Sequence, residues 1–278
     1  MVDPSLYRAT PAWTVDQVRA YMEQHKPEEY TLLDVRQPEE YRQGHLPGSV
    51  LIPLGQLHQR LDELDRSKPA ILYCRSGVRS ANGTGVLLHA GFEDVRNLSG
   101  GILAWEGTVA TGAPEAGMWW FQDARNPVDY IGLAWILEEG AKIFYTRMAD
   151  QFPSEDTSDL FRSLAAAEGH HKDTLRNLYG ALTGREGDPL SADEVAAYDT
   201  MEGGVSLTKV LAWADGKGAT EVLEFSMALE VNSYDLYLKV GQRIHPQEGK
   251  AVLRSLAQEE KAHLDRLSEA LVRHGRSK

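Results

Sequence analysis

Residues 73–85 read YCRSGVRSANGTG, and they place the one cysteine of the 278-residue sequence where two kinds of secondary structure meet. Upstream, AILYC (70–74) is a short apolar run of the kind that forms a buried strand, and downstream 78–89 can be helical. Cys74 therefore falls at a strand-to-helix turn, where free backbone N–H groups and the helix dipole favour an anion. Arg75 and Arg79 add positive charge, and Gly77 permits the twist that lets several N–H groups converge. Each feature stabilises a thiolate or persulfide, so Cys74 reads as an activated nucleophile rather than a buried structural thiol.

Outward from this turn, residues 1–110 show short apolar runs separated by turn chemistry. YTLLDVR (30–36) and DVRNL (94–98) read as further strands, and TVDQVRAYMEQH (14–25) as a helix with Thr14 as N-cap and Gln17 completing a capping box. Alternating strands and helices predict an α/β fold with a parallel sheet and flanking helices. The stretch GTVATGAPEAGMWWFQDARNP (107–127) has no steady period and several Gly and Pro, so 111–127 reads as a linker whose WWF cluster docks on one domain. From Asn126 as N-cap and Pro127 at N1, helix signals take over, with long helices near 128–150, 158–183, 219–243 and 248–273. Residues 184–218 form one long connection with a short helix in SADEVAAYDTM. The expected organisation is an α/β domain over 1–110, a linker over 111–127 and an all-α four-helix bundle over 128–278.

Composition narrows the function. A net charge of −12 disfavours nucleic acid, and it is unevenly shared: 11 basic against 14 acidic residues over 1–110, and 18 against 27 over 111–278. No run approaches the roughly 20 apolar residues of a membrane span. The N-terminal MVDPSLYRATPAW lacks the basic and apolar segments of an export signal, and one cysteine suits a reducing compartment, so a cytoplasmic protein is expected.

Three motifs in order, LLDVRQPEEYRQGHLPGSVLIPL (32–54), YCRSGVRS (73–80) and NLSGGILAW (97–105), resemble a single rhodanese sulfurtransferase domain. The resemblance implies that Cys74 accepts a sulfane sulfur as a persulfide, cradled by the N–H groups of Arg75, Ser76, Gly77, Val78 and Arg79. It also implies that Asp34 and Arg36 form the scaffold behind the site. The rival loop, of tyrosine phosphatases and arsenate reductases, separates cysteine and arginine by five residues. Here Arg79 comes after four and Ser80 takes the next place, a shorter loop that suits one sulfur better than a tetrahedral phosphate. His45, in GHLPGS, belongs to a turn and is expected to be structural.

The helical part makes its case through periodicity. Positions 161, 164, 168, 171, 175 and 178 trace one face and read Phe, Leu, Glu, His, Leu, Leu, while 253, 256, 260, 263 and 267 read Leu, Leu, Glu, His, Leu. A Glu-x-x-His thus interrupts an apolar stripe twice, and an ionised acid there is costly unless paired or bound to metal. The other two long helices carry one acid each: Glu138 on the face of Ala134, Ala141, Tyr145 and Met148, and Glu230 on the face of Ser226, Ser233, Tyr237 and Val240. The differences 230 − 138, 237 − 145, 260 − 168 and 263 − 171 all equal 92, as do those between Leu164 and Leu256 and between Leu175 and Leu267. The bundle reads as two copies of one helical hairpin. Its four carboxylates and two imidazoles match the donor inventory of a two-metal carboxylate site.

Over about 128–275 this pattern resembles the rubrerythrin and ferritin-like family. The resemblance implies Glu138, Glu168, His171, Glu230, Glu260 and His263 as ligands of two iron ions (or manganese), with the Tyr145 and Tyr237 hydroxyls behind them. Two departures stand out: rubrerythrins carry a further glutamate where this chain has Ser233, and a four-cysteine rubredoxin relay is ruled out by a single cysteine. Glu139, Glu259 and His170 lie one position off the stripe and are expected to be solvated, with Glu139 and Glu259 exchanging with their neighbours if the helix register differs.

Together these readings predict a sulfurtransferase using thiosulfate or a small persulfide as donor and a thiol as acceptor, joined to a di-iron centre that reduces peroxide or dioxygen with an external electron donor. Sulfur or oxidative-stress metabolism would be its setting, without nucleic acid or membrane partners. Because family bundles pair, a homodimer is expected. The alternative is a sulfurtransferase whose bundle stores iron or only dimerises.

Overall fold

The structure, a computed structural model, describes residues 11–152, 155–243 and 247–276, without the side chains of 155, 243, 247–249 and 270–276. The expectation about an export signal concerns 1–10, outside the described residues. No helix among the described residues is long and apolar enough to cross a membrane. The chain divides into two compact units, Met1–Pro114 and Glu115–Lys278.

The first unit is an α/β layer structure. Its elements run β1 (Ala12–Trp13), α1 (Val15–Gln24), β2 (Thr31–Asp34), α2 (Pro38–Gln43), β3 (Val50–Leu51), α3 (Leu54–Leu57), β4 (Ala70–Tyr73), α4 (Val78–His89) and β5 (Val95–Leu98). All five strands are parallel, in the order β1-β5-β4-β2-β3. The strands of the middle are the apolar runs: every residue of β4 is buried, as parallel strands covered on both faces must be. Burying Ile71 and Leu72 fully contributes about 1.5–3 kcal/mol each. The two-residue strands β1 and β3 were not legible as strands. Thr14 caps α1, with its side chain accepting from Gln17 N and Gln17 returning the bond.

The second unit is a bundle of four long helices. α5 (Pro127–Gln151) pairs with α6 (Glu155–Thr183), and α9 (Ala219–Arg243) with α10 (Gln247–Arg276). Asn126 Oδ1 accepts the N–H groups of Val128 and Asp129, so the helix starts where the Asn-Pro signal puts it. The connection holds α7 (Ala192–Ala196), a 3-10 turn (Glu202–Gly204) and α8 (Leu207–Ala214), the last two absent from the sequence reading. The WWF cluster forms a 3-10 turn, Met118–Phe121, on this unit. Phe121 stacks on Tyr130, and Trp120 Nε1 donates to the Leu133 carbonyl.

Candidate active site and candidate metal centre

In the first unit, β4 delivers Cys74 to the start of a loop that closes at Gly77, whose φ of +89° is the left-handed conformation that glycine tolerates. The fold-back aims Gly77 N–H at Cys74 Sγ, 3.1 Å away, and the Ser80 hydroxyl donates to the same sulfur at 3.4 Å. Burial raises the thiol pKa, but the Ser80 hydroxyl and the N–H groups of Ser80, Ser76 and Gly77 outweigh it and leave the pKa lowered. Cys74 is itself 1% exposed, while Arg75, Ser76 and Val78 lie on the surface above it. Arg79 is held by Glu40 in a two-pronged pair at 2.6 and 2.7 Å. That guanidinium keeps the Glu40 carboxyl at about 2, against the weaker opposing effect of burial.

The other motifs form the support. Arg36 forks onto Asp34, with Nη2 to Oδ2 at 2.7 Å, and also donates to the Gly44 carbonyl. Both side chains are buried, and the guanidinium lies 5.5 Å from the centre of the Tyr73 ring, next in sequence to Cys74. NLSGG packs against the back of the cysteine loop: Ile102 N donates to the Cys74 carbonyl and Leu103 N to that of Arg75. A Cβ on Gly101 would stand 2.7 Å from the Arg75 carbonyl carbon, so only glycine lets these backbones touch. His45 is buried, stacked on Tyr41 and bonded through Nδ1 to the Tyr41 carbonyl, a packing arrangement. Ser80 entered the sequence reading only as the residue after Arg79; its hydroxyl on Sγ is the contribution that reading missed.

In the second unit, the stripe positions converge. Glu138, Glu168, Glu230 and Glu260 are each 0% exposed, and His171 and His263 lie beside them with parallel rings 4.9 Å apart. His171 Nδ1 is 2.7 Å from Glu138 and 3.0 Å from Glu168; His263 Nδ1 is 3.1 Å from Glu230 and 3.4 Å from Glu168. The tyrosines reach across: Tyr237 donates to Glu138 at 2.6 Å, and Tyr145 donates to Glu230. The charges answer one another. Burial opposes protonation of His171, yet Glu138 and Glu168 push it up to about 12. Burial also opposes ionisation of Glu230, yet His263 and hydrogen bonds hold it at about 2. Glu168 and Glu260 are driven well above the usual carboxylate range, burial being the largest cause.

This donor set fits a pair of hard cations. The imidazoles face Glu168 and Glu260 only as ion-pair neighbours; among the described residues neither oxygen of either acid has a hydrogen-bonding partner, and buried carboxylates in that condition are costly without a cation. Ligand atoms within 4.8 Å of one another group Glu168 with His171 and His263, and Glu230 with Glu260 and His263.

Glu259 and Glu139 depart from the solvated expectation, His170 follows it, and Glu202 is new. Glu259, expected to be solvated, is part-buried, and its Oε2 lies 3.1 Å from His171 Nε2, so it meets the far side of that imidazole. Glu139 pairs with Lys172, whose ammonium stands over Trp135, while His170 is exposed. Glu202, which the sequence reading did not single out, is 0% exposed and lies within the same cluster. Its helix-free surroundings gave no periodic signal; the one cue is the Gly-Gly that follows it.

Comparison with known proteins assigns both units. The rhodanese-like domain model matches residues 14–108 and the rubrerythrin model residues 129–271. A sulfurtransferase of Allochromatium vinosum is 37% identical over 78 residues, covering 28% of this chain and 73% of that protein. The thiosulfate sulfurtransferase GlpE of Pseudoalteromonas translucida is 34% identical over 79 residues, 28% of this chain and 75% of that protein. YqhL of Bacillus subtilis is 42% identical over 78 residues, and the chain spans 62% of its length. A rhodanese-like domain protein of Staphylococcus aureus is 30% identical in structure-based comparison, with a TM-score of 0.34 over 37% of this chain and 99% of that one.

Proposed function

We propose, for a chain that belongs to the rubrerythrin family through 129–271 and to the rhodanese-like sulfurtransferases through 14–108, that one polypeptide combines persulfide transfer on Cys74 with di-iron redox chemistry between its long helices. The domain change falls in 111–127. The observation that carries the second half is the buried convergence of Glu138, Glu168, His171, Glu230, Glu260 and His263.

For sulfur transfer, the Cys74 thiolate attacks the outer sulfur of thiosulfate. The S–S bond breaks, and sulfite leaves with its electron pair. The N–H groups of the 75–79 loop and the Ser80 hydroxyl stabilise the thiolate and then the Cys74 persulfide anion. An acceptor thiolate then takes the outer sulfur and Cys74 returns as thiolate. Arg75, exposed beside the loop, attracts the anionic donor, while Glu40 fixes Arg79.

Two iron ions in the bundle would supply electrons to peroxide or dioxygen and neutralise the oxygens produced. The chain's residues prepare for this. Glu138 and Glu230 are oriented by Tyr237 and Tyr145, His171 and His263 offer one imidazole per ion, and the apolar helix faces exclude water. Electrons enter from an external donor, since one cysteine cannot build a rubredoxin relay. A reducing cytoplasm and a homodimer accord with this reading.

Metal analysis with an absorption spectrum tests the bundle: about two irons per chain with an oxo-bridge band support it. A metal-free protein that cannot be loaded leaves a dimerising scaffold, and a large shell on size-exclusion chromatography leaves iron storage. A thiosulfate-to-cyanide assay of wild type and Cys74→Ala tests the other half; equal rates would remove Cys74 from the chemistry.

A further inference from the structure

Glu202 is carried by no long helix. It opens the 3-10 turn Glu202–Gly204 in the connection between α7 and α8, yet it is 0% exposed, and neither of its oxygens has a hydrogen-bond partner among the described residues. Glu168 and Glu260 share that condition. One group of possible ligand atoms within 4.8 Å joins Glu202 to Glu138, His171 and Glu260, and another joins it to Glu168 and Glu230. It therefore stands within ligand distance of all four helix-borne carboxylates. A surface connection has no folding reason to bury an acid among four others: like charges repel, and desolvation adds to the cost.

The turn is also held in place. Met201 is buried and bridges to Val205, with Met201 N donating to the Val205 carbonyl at 2.9 Å. Gly203 and Gly204 take φ of +68° and +71°, so the chain reverses at once after Glu202. On α5, Gly140 lies two residues after Glu138, and a Cβ there would stand 2.7 Å from the Met201 Cα. The missing side chain lets residues 200–201 press onto the helix and drives the next side chain inward. Glu202 is thus placed by backbone fit on one side and two left-handed glycines on the other.

We propose that Glu202 is a further carboxylate ligand of the metal centre, supplied by the connection rather than by the four helices. The inference rests on the di-metal reading given above and adds a donor to it. A fifth carboxylate beside two imidazoles makes the site selective for hard, highly charged cations over softer ones.

The test uses the full chain, stripped with chelator and titrated with cobalt(II), read by calorimetry and by the cobalt absorption bands. Wild type is expected to take up about two ions per chain. Glu202→Gln is expected to lose at least about tenfold in affinity for one of them, with altered cobalt bands. Without metal, Glu202→Gln should melt at the wild-type temperature or above it, because the acid it replaces has no hydrogen-bond partner among the described residues. Glu202→Asp, which keeps the charge but shortens its reach, should bind weakly as well. Two ions bound by Glu202→Gln with wild-type affinity and bands would overturn the inference and leave the metal reading intact. A Glu202→Gln chain that melts lower without metal would mark a structural acid and overturn it too. Wild type that binds no cobalt would remove both.

Discussion

The Tyr237 hydroxyl on α9 donates to Glu138 on α5 at 2.6 Å, and 92 positions earlier Tyr145 on α5 donates to Glu230 on α9. Each helical hairpin thus orients the acid of the other. Removing one hydroxyl leaves a buried carboxylate short of a donor, a loss of about 1–3 kcal/mol. Tyr237→Phe and Tyr145→Phe should therefore each lower the thermal midpoint of the chelator-treated protein, and by similar amounts. A drop for one and none for the other would deny the exchange.

Cys74 should be reactive at a pH below the ordinary thiol range, because hydrogen bonds from Ser80, Ser76 and Gly77 favour its thiolate over the opposing effect of burial. The rate of iodoacetamide alkylation against pH gives the midpoint. Ser80→Ala removes the hydroxyl on Sγ and should move that midpoint upward. An unmoved midpoint would leave the loop N–H groups as the whole cause.

Glu40 has its carboxyl held at about 2 by Arg79, below its ordinary 4.5. The folded state therefore binds fewer protons than the unfolded one in this window. The pair's stabilisation is present in full above about pH 4.5 and fades as pH falls toward about 2. Urea midpoints of wild type and Glu40→Gln should differ by a constant amount from about pH 7 to 5 and converge below about pH 4. Sulfur transfer by Glu40→Gln should fall, with Arg79 no longer fixed. Unchanged turnover would limit the pair to stability.

Gly101→Ala places a methyl group 2.7 Å from the Arg75 carbonyl carbon and forces an L side chain into a φ of +60°. We expect a loss of about 1–3 kcal/mol from the overpacking alone, and slower alkylation of Cys74 as the loop is displaced. Gly85→Ala is the control, since nothing among the described residues stands within 4 Å of a Cβ there. Urea unfolding of the two variants separates the outcomes.

The bundle was legible because its signals are periodic. The Asn126-Pro127 start, the two Glu-x-x-His stripes and the constant offset each survive without knowledge of packing. The central strands were legible as unbroken apolar runs, which parallel burial demands. What escaped was set by tertiary fit. β1 and β3 are two residues each, too short for any period, and β1 is defined only by pairing with Asn97 and Leu98. The eight residues of α8, LTKVLAWA, were hidden inside a connection read as irregular. The helix angle of Glu259 points it toward solvent, but its side chain reaches the His171 ring. Ser80 and Glu202 carry no pattern of their own; one is recognised by a hydrogen bond, the other by the backbone that presses it inward.

The close approach at Gly140 has a consequence for symmetry. The two hairpins are copies, so six donors come in matched pairs, but the segment that seats on Gly140 joins the copies and has no twin. As the proposed seventh donor, Glu202 would give an even scaffold an odd ligand. If Glu202 binds one ion more closely than the other, the two metal positions would be inequivalent: they would fill in order rather than together, and they would differ in which one holds the higher charge. Duplication would have supplied the centre, and the joint between the duplicates its polarity.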